Sequence, residues 1–158
     1  RHAMVTKVRG AFNEVSGTAV VDGSNPSTSS LSVEIAASSI DTRDAGRDGH
    51  LVSPDFLDAG TYPTLTFVAT GFAITEVDVV EVTGDLTIKD VTKSITIPFT
   101  FEGAAVDPFG NQRIGFEGST AISRKDWGLT WNAALEAGGV LVSDKVVLEF
   151  EVSAIKAA

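Results

Sequence analysis

The sequence predicts an all-β protein whose antiparallel strands close on themselves as a barrel or a sandwich. Three observations support this fold class. Apolar and polar residues alternate along most of the chain, short turns rich in Gly, Asn and Asp separate the alternating segments, and no helix-length apolar pattern stands between them. Because each strand then has one apolar face, the sheet must bury that face against itself.

The alternation predicts about seven strands. The first, 5–22, is broken near Gly10 and Gly17 and is predicted as one bent strand or two short ones. The others are 31–35, 64–70, 80–89, 95–101, 114–122 and 146–152. The clearest of these is 80–89, in which apolar residues and Gly alternate strictly with charged residues and Thr.

Small residues fall on the predicted inward faces at Ala69, Gly84 and Gly118. They leave room inside a barrel, or they fit a tapering interior and mark bends in the strands. The residues by themselves leave both interpretations open.

Two long connections, 41–63 and 123–139, interrupt the alternation, and each is predicted to contain short helices. In the first, Asp41 or Thr42 is suited to cap a helix. A second start is predicted at 53–55, where Ser, Pro and Asp follow one another as N-cap, first helical residue and first-turn acid.

The second connection has a helix candidate at 132–137. Asn132 is a good N-cap for it, and Gly138 is a good residue just past its C-terminal end.

Length, charge and composition narrow the function. A chain of 158 residues is predicted to be one domain, 1–158. A net charge of −9 argues against a nucleic-acid partner or an anionic membrane surface. Cysteine is absent, which excludes disulfides and thiolate chemistry. No apolar run approaches the ~20 residues that span a bilayer, so stable membrane insertion is not expected.

Charged residues in 41–63 first suggest a metal or acid–base site at Asp44, Asp48 and His50. The carboxylates are better explained as helix caps and solvated surface, whereas His50 lies where charges give way to apolar residues. The chain has no nucleophile elbow, no glycine-rich phosphate loop and no zinc spacing. Neither an enzyme nor a metal site is therefore predicted.

Four aromatic residues lie in the two connections and not inside strands: Phe56, Tyr62, Trp127 and Trp131. Aromatic side chains at the mouth of a barrel can line a ligand cavity. They can equally fill the end of the barrel as core.

A series of short motifs resembles the YceI-like proteins and covers essentially the whole chain. They are 1–2 (RH), 5–12 (VTKVRGAF), 39–42 (SIDT), 47–51 (RDGHL), 53–56 (SPDF), 62–64 (YPT), 83–88 (TGDLTI), 107–110 (DPFG), 115–117 (GFE) and 124–129 (RKDWGL). Several independent motifs in the same order make the resemblance specific. It implies a lipocalin-like barrel that binds polyisoprenoid lipids.

The front of the chain departs from this pattern: the resemblance implies a strand before the Arg-His pair, whereas the sequence given opens at that pair. Seven strands and that one make eight, a number that encloses one small ligand. We therefore expect an unpaired seam in this chain, which a second copy of the chain could fill in a homodimer.

The resemblance implies a non-enzymatic protein that binds, transports or stores a long isoprenoid-type lipid or an isoprenoid quinone, without another cofactor. The expected cavity wall is Phe12, Phe56, Leu57, Tyr62, Phe67, Phe116, Trp127, Trp131 and Leu135, and the expected head-group contacts are His2, Arg47, His50 and Asn132. The alternatives are an enzyme that acts on such a lipid through His50 and a stress-response barrel with an incidental ligand. The cytoplasm is slightly favoured over the periplasm or secretion.

Overall fold

The computed structural model describes residues 1–3, 5–22 and 24–157. The strands are β1 (Ala11–Phe12), β2 (Val15–Val20), β3 (Ser30–Ala36), β4 (Ile40–Asp41), β5 (Thr64–Glu76), β6 (Val79–Ile88), β7 (Val91–Val106), β8 (Gln112–Ser123) and β9 (Lys145–Ile155). One α-helix, α1 (Ala45–Leu51), and 3-10 turns at Pro26–Thr28, Ala37–Ser39 and Arg124–Trp127 complete the described elements.

Seven strands form one antiparallel sheet in the order β2-β3-β5-β6-β7-β8-β9. From β5 onwards each strand pairs with the next along the chain, because short turns join β5 to β6, β6 to β7 and β7 to β8. The sheet curls into a half-barrel, so the predicted antiparallel, barrel-like class is confirmed. The predicted first strand is two short strands, and the predicted strands 64–70 and 95–101 are longer at their ends.

β2 and β9 are the two edges of this sheet in the described part of the chain. The remaining pair, β1 and β4, forms a separate two-stranded sheet. A seam therefore lies between β2 and β9, and every residue of β2 is exposed. The strand or second copy expected to fill the seam stays a prediction.

The core occupies the concave side of the half-barrel. Val82, Leu86 and Ile88 alternate with more exposed residues along β6, and Ile97 on β7 is 2% exposed. This alternation follows the period of two in the sequence, because successive side chains of a strand point to opposite faces.

The inward glycines are explained by aromatic rings on the neighbouring strands. A Cβ on Gly84 would meet the ring of Phe67, and one on Gly118 would lie 2.7 Å from Cδ1 of Phe99. Phe67 and Phe99 are themselves buried. At these two positions the missing side chain makes room for a phenylalanine and not for a ligand.

The helix positions within the two connections differ from those predicted. α1 starts after Asp44, whose carboxylate accepts a hydrogen bond from the Arg47 amide at 2.9 Å, so neither Asp41 nor Thr42 is its cap. Residues 53–57 form turns, not a second helix. Their amides bond to carbonyls within the connection, as Phe56 does to Ser53 at 3.0 Å.

The predicted helix at 132–137 is wrong. This segment bends back on itself, with a β-bridge between Ala134 and Val140. The Asn132 carbonyl oxygen of the side chain accepts from the amides of Ala133 and Val142, and the second of these lies 10 residues ahead. Because the Asn132 side chain bonds across the connection to Val142, the segment forms a hairpin-like loop and not a helix.

Helices long and apolar enough to cross a membrane are not found among the described residues.

Candidate functional site

Three aromatic rings from the two irregular connections meet at one end of the half-barrel. The His50 ring lies edge-on to Trp131, with centroids 4.6 Å apart, and to Phe56 at 5.0 Å. Phe56 and Trp131 are 5.4 Å apart. We call these three residues the aromatic cluster. All three are predicted ligand contacts, and they come from two segments about 80 residues apart in the chain.

His50 is held in the cluster by local geometry. It lies in the last turn of α1, and its Nε2 is 2.8 Å from the Asp55 carboxylate. The chain can turn back sharply after the helix because the Ser53 hydroxyl donates to the His50 carbonyl oxygen at 2.7 Å. The imidazole is 39% exposed, so one side of it faces solvent while another packs on the rings.

The predicted head-group residue Arg47 is tied to the protein. Its Nε donates to the Thr42 hydroxyl at 2.7 Å, and its Nη2 donates to the Thr42 carbonyl oxygen at 2.9 Å. Thr42 is 7% exposed, and its amide donates to the Asp48 carboxylate at 2.9 Å. These bonds join the start of α1 to the segment that enters it, which is a structural role.

Trp127 and Phe67 lie in the core. Trp127 is 3% exposed, and its indole Nε1 donates to the Leu86 carbonyl oxygen at 3.0 Å. This bond satisfies the polar atom that makes a tryptophan costly to bury. Leu57 packs against the same core from the first connection, and the nitrogen of Lys89 lies 6.0 Å from the Tyr62 ring centroid.

Three other predicted contacts lie in or beside the loop that leads into β9. His2 is exposed and forms a β-bridge with Val142. The Asn132 side chain bonds Val142 with both of its polar atoms, and Leu135 is half-buried in the same loop. His2 and Asn132 thus share a partner, although neither contacts the aromatic cluster through a recorded hydrogen bond.

Phe12 and Phe116 pack against the edge of the core. Phe12 is on the short strand β1 and pairs with Ile40. Phe116 is on β8, where its ring lies 5.4 Å from that of Phe101. Both are partly exposed, unlike the buried Phe67.

Arg124 is a buried residue that the sequence patterns did not single out beyond the family motif. It is 5% exposed, and its guanidinium donates to the carbonyl oxygens of Leu129, Trp131 and Ser143. Its Nη2 also lies 3.5 Å from the Asp144 carboxylate. It fixes the backbone of Trp131 and so positions one ring of the cluster. The signal in the sequence was an arginine directly between a strand and two tryptophans.

Apolar side chains remain accessible on the concave side. Phe101 on β7 is 39% exposed, and on the edge strand β9 Val146 is 36% and Val152 42% exposed. Val152 lies opposite Phe116 in the β8–β9 pairing, and Phe150 packs on Phe99 at 5.8 Å, so β9 turns this face inward.

Two surface depressions, of about 270 and 520 Å³, lie against the β7–β9 part of the sheet. Neither is lined by a predicted ligand contact. Among the described residues, no group of three or more His, Asp or Glu side chains is arranged to hold a metal ion.

The chain is similar to a defined family and to solved structures. The family model of the YceI-like domain matches residues 1–154. A UPF0312 protein of Pseudomonas savastanoi is 39% identical over 128 residues, which are 81% of this chain and 67% of that protein. A UPF0312 protein of Pseudomonas paraeruginosa is 40% identical over 129 residues, 82% of this chain and 67% of that protein.

Two solved structures have the same fold. The Campylobacter jejuni YCEI protein is 29% identical with a TM-score of 0.86, and the match covers 100% of this chain and 90% of that one. Burkholderia cenocepacia BcnA is 26% identical with a TM-score of 0.82, covering 96% of this chain and 90% of that one.

Proposed function

This chain belongs to the YceI-like domain family, and on that basis we propose that it binds a long apolar lipid of the isoprenoid type, without acting on it chemically. The lipid lies against the concave side of the half-barrel, and its polar head remains at an end where water reaches. The protein would carry or store the lipid by keeping its chain out of water.

The observation that carries this proposal is the accessible apolar surface inside the half-barrel. Val152 is 42% exposed on the inward face of β9, next to Phe116 on β8. Large apolar side chains that face inward and yet remain accessible are suited to contact an apolar ligand. Burying about ten methylene groups would contribute roughly 8 kcal/mol before the costs of association are subtracted.

The best candidate for the head-group contact is His50. Its side chain is 39% exposed and only its Nε2 is paired, with Asp55, whereas the Arg47 and Asn132 side chains each make two hydrogen bonds, to Thr42 and to Val142 respectively. Phe56 and Trp131 would then separate the water-facing edge of the imidazole from the buried core. In this proposal Phe56, Trp127 and Phe67 pack beneath the residues that contact the lipid and do not contact it themselves, because other side chains already cover them.

The pair of His50 and Asp55 favours one rival function, an enzyme acting on the same lipid. A histidine oriented by a carboxylate at 2.8 Å has the arrangement of a general base. Turnover of a long-chain lipid ester or isomerisable lipid that disappears in His50→Ala would support the rival and overturn the non-enzymatic proposal.

The direct test is organic extraction of the purified protein followed by mass spectrometry. A long-chain lipid present at about one molecule per chain supports the proposal, and a protein that yields none and takes up none from detergent contradicts it. Two valines on β9 provide a matched pair of variants: Val152 points inward and Val147 outward. Val152→Glu should lose the lipid, while Val147→Glu should keep it.

A further inference from the structure

The β7, β8 and β9 strands extend beyond the rest of the sheet. β6 pairs with β7 only as far as Val79 and Thr100, and the Phe101 amide still donates to the Asp78 carbonyl oxygen at 2.7 Å, so residues 102–106 of β7 continue beside β8 alone. β9 accompanies them on the far side of β8 as far as Ile155, opposite Arg113. We call residues 102–106, 112–115 and 153–155 the arm. At about 3.4 Å per residue it projects roughly 17 Å.

The inward face of the arm is apolar except at Gln112 and continues the concave face of the half-barrel. Phe101 pairs with Phe116, and after the bulge that follows them Ala104 pairs with Ile114 and Val106 with Gln112. Exposure increases along this face, from 8% at Phe99 to 39% at Phe101 and 68% at Val106. A surface that would hold a lipid therefore runs out to the tip of the arm.

The tip presents one phenylalanine to solvent. Phe109 is 88% exposed in the turn between β7 and β8, within the motif 107–110 that the proposed lipid site does not use. The turn is well braced, because the Asp107 carboxylate accepts from the Phe109 amide at 2.9 Å and from Arg113 Nε at 2.7 Å. Hydrogen bonds from Asn111 and Arg113 hold the pKa of Asp107 below its usual range. The hydrogen bonds of the turn therefore hold the Phe109 side chain in an exposed position.

The charges near the tip of the arm indicate which kind of lipid surface the tip can bind. Asp107 is paired with Arg113, and the nearest further charges along these strands are Glu102 on the arm and Lys156 directly after it. Anionic lipids are recognised by clusters of Lys and Arg, which this mixed set does not form, and the whole chain carries a net charge of −9. A zwitterionic lipid surface matches an apolar tip with balanced charges.

We propose that the arm docks on a zwitterionic lipid bilayer by inserting Phe109 among the head groups. The inward face of the arm would then adjoin the bilayer, and a lipid could pass between the bilayer and the half-barrel without crossing water. The passage of lipid rests on the proposed function, whereas the docking depends only on the tip.

Flotation with phosphatidylcholine vesicles tests the docking. Wild-type protein should float with the vesicles, and Phe109→Ser should reduce the partition coefficient at least about tenfold, because a buried Phe side chain is lost from the lipid. Val68→Ser is the matched control, since Val68 is 48% exposed on the outer face of β5, away from the arm. It should float like wild type.

Three results would overturn the docking. They are equal flotation of wild type and Phe109→Ser, flotation only with phosphatidylglycerol vesicles, and a self-association in gel filtration that Phe109→Ser abolishes while flotation is unchanged.

Lipid extraction distinguishes a failure of the docking proposal from a failure of the proposed function. Phe109→Ser should still contain the co-purified lipid, because its ring lies outside the concave face. A wild-type protein that floats but never contains lipid would leave the docking standing and contradict the proposed function.

Discussion

Arg124 shows how one side chain can organise a connection that has little regular structure. Its guanidinium donates to the carbonyl oxygens of Leu129 and Trp131 on one side and of Ser143 on the other. Buried cations are stable only when such partners replace water. The two halves of the connection between β8 and β9 are therefore joined through a residue that is 5% exposed.

Replacing Arg124 with Met should lower the free energy of unfolding by about 3 kcal/mol, since hydrogen bonds to a buried charge are lost and carbonyl groups are left unpaired. Arg124→Lys should fall between wild type and Met, because an ammonium group cannot reach the same set of carbonyls. Urea unfolding followed by circular dichroism measures both. A loss below about 1 kcal/mol for the Met variant would show that the connection is held by other contacts.

His50 is a second residue whose surroundings are well defined, but one of its partners lies far away in the chain. Asp55 is five residues away, while Trp131 belongs to the other connection. The change from charged to apolar residues at 41–63 pointed to His50. That change contained no information about which aromatic ring would contact His50.

At the scale of elements, β5 and β6 fit together through a ring packed over a glycine. Phe67 on β5 pairs with Leu86, and its ring covers the position where Gly84 has no Cβ. The Val68 carbonyl oxygen would be 2.7 Å from a Cβ at Gly84. An aromatic ring over a glycine on the next strand is a known way to fill the gap that the glycine leaves.

Gly84→Ala should therefore destabilise the protein by about 1–3 kcal/mol through overpacking against a ring and a backbone atom. Gly71, on β5, is the matched control, because a Cβ there meets nothing within 4 Å. Gly71→Ala should be neutral or slightly stabilising, since alanine loses less backbone entropy on folding. Thermal unfolding of the two variants in parallel provides the comparison; similar melting temperatures would be the contrary outcome.

At the scale of the whole molecule, the seam leaves apolar side chains of β2 and β9 accessible. Val15 on β2 is 58% exposed and Val152 on β9 is 42% exposed. A ligand that covers such residues binds the folded state and not the unfolded chain, so it stabilises the protein by mass action.

Removing a bound lipid should therefore lower Tm. At a lipid concentration about 100 times Kd the stabilisation is about 2.7 kcal/mol, and for a domain of this size each kcal/mol corresponds to about 2–4 °C, which predicts a decrease of about 5–10 °C. Differential scanning calorimetry before and after detergent extraction measures the change, and adding lipid back should reverse it. An unchanged Tm would count against a ligand in the half-barrel, provided extraction removed the lipid.

The sequence by itself indicated the strands of the seven-stranded sheet and their inward faces, but not the short strand β4, because a period of two is a local property that needs several residues to be visible. It also identified the two connections in which the aromatic cluster forms. Only the tertiary structure decided that Gly84 and Gly118 accommodate rings, that 132–137 turns back in place of forming a helix, and that His50, Phe56 and Trp131 meet. The physical reason is that these outcomes depend on contacts that a local residue pattern does not encode, between neighbouring strands, between the two connections or across one connection. The packing of one strand's side chains over another exists only once the sheet has formed, and the hydrogen bonds of Asn132 and Arg124 exist only once the connection between β8 and β9 has folded back on itself.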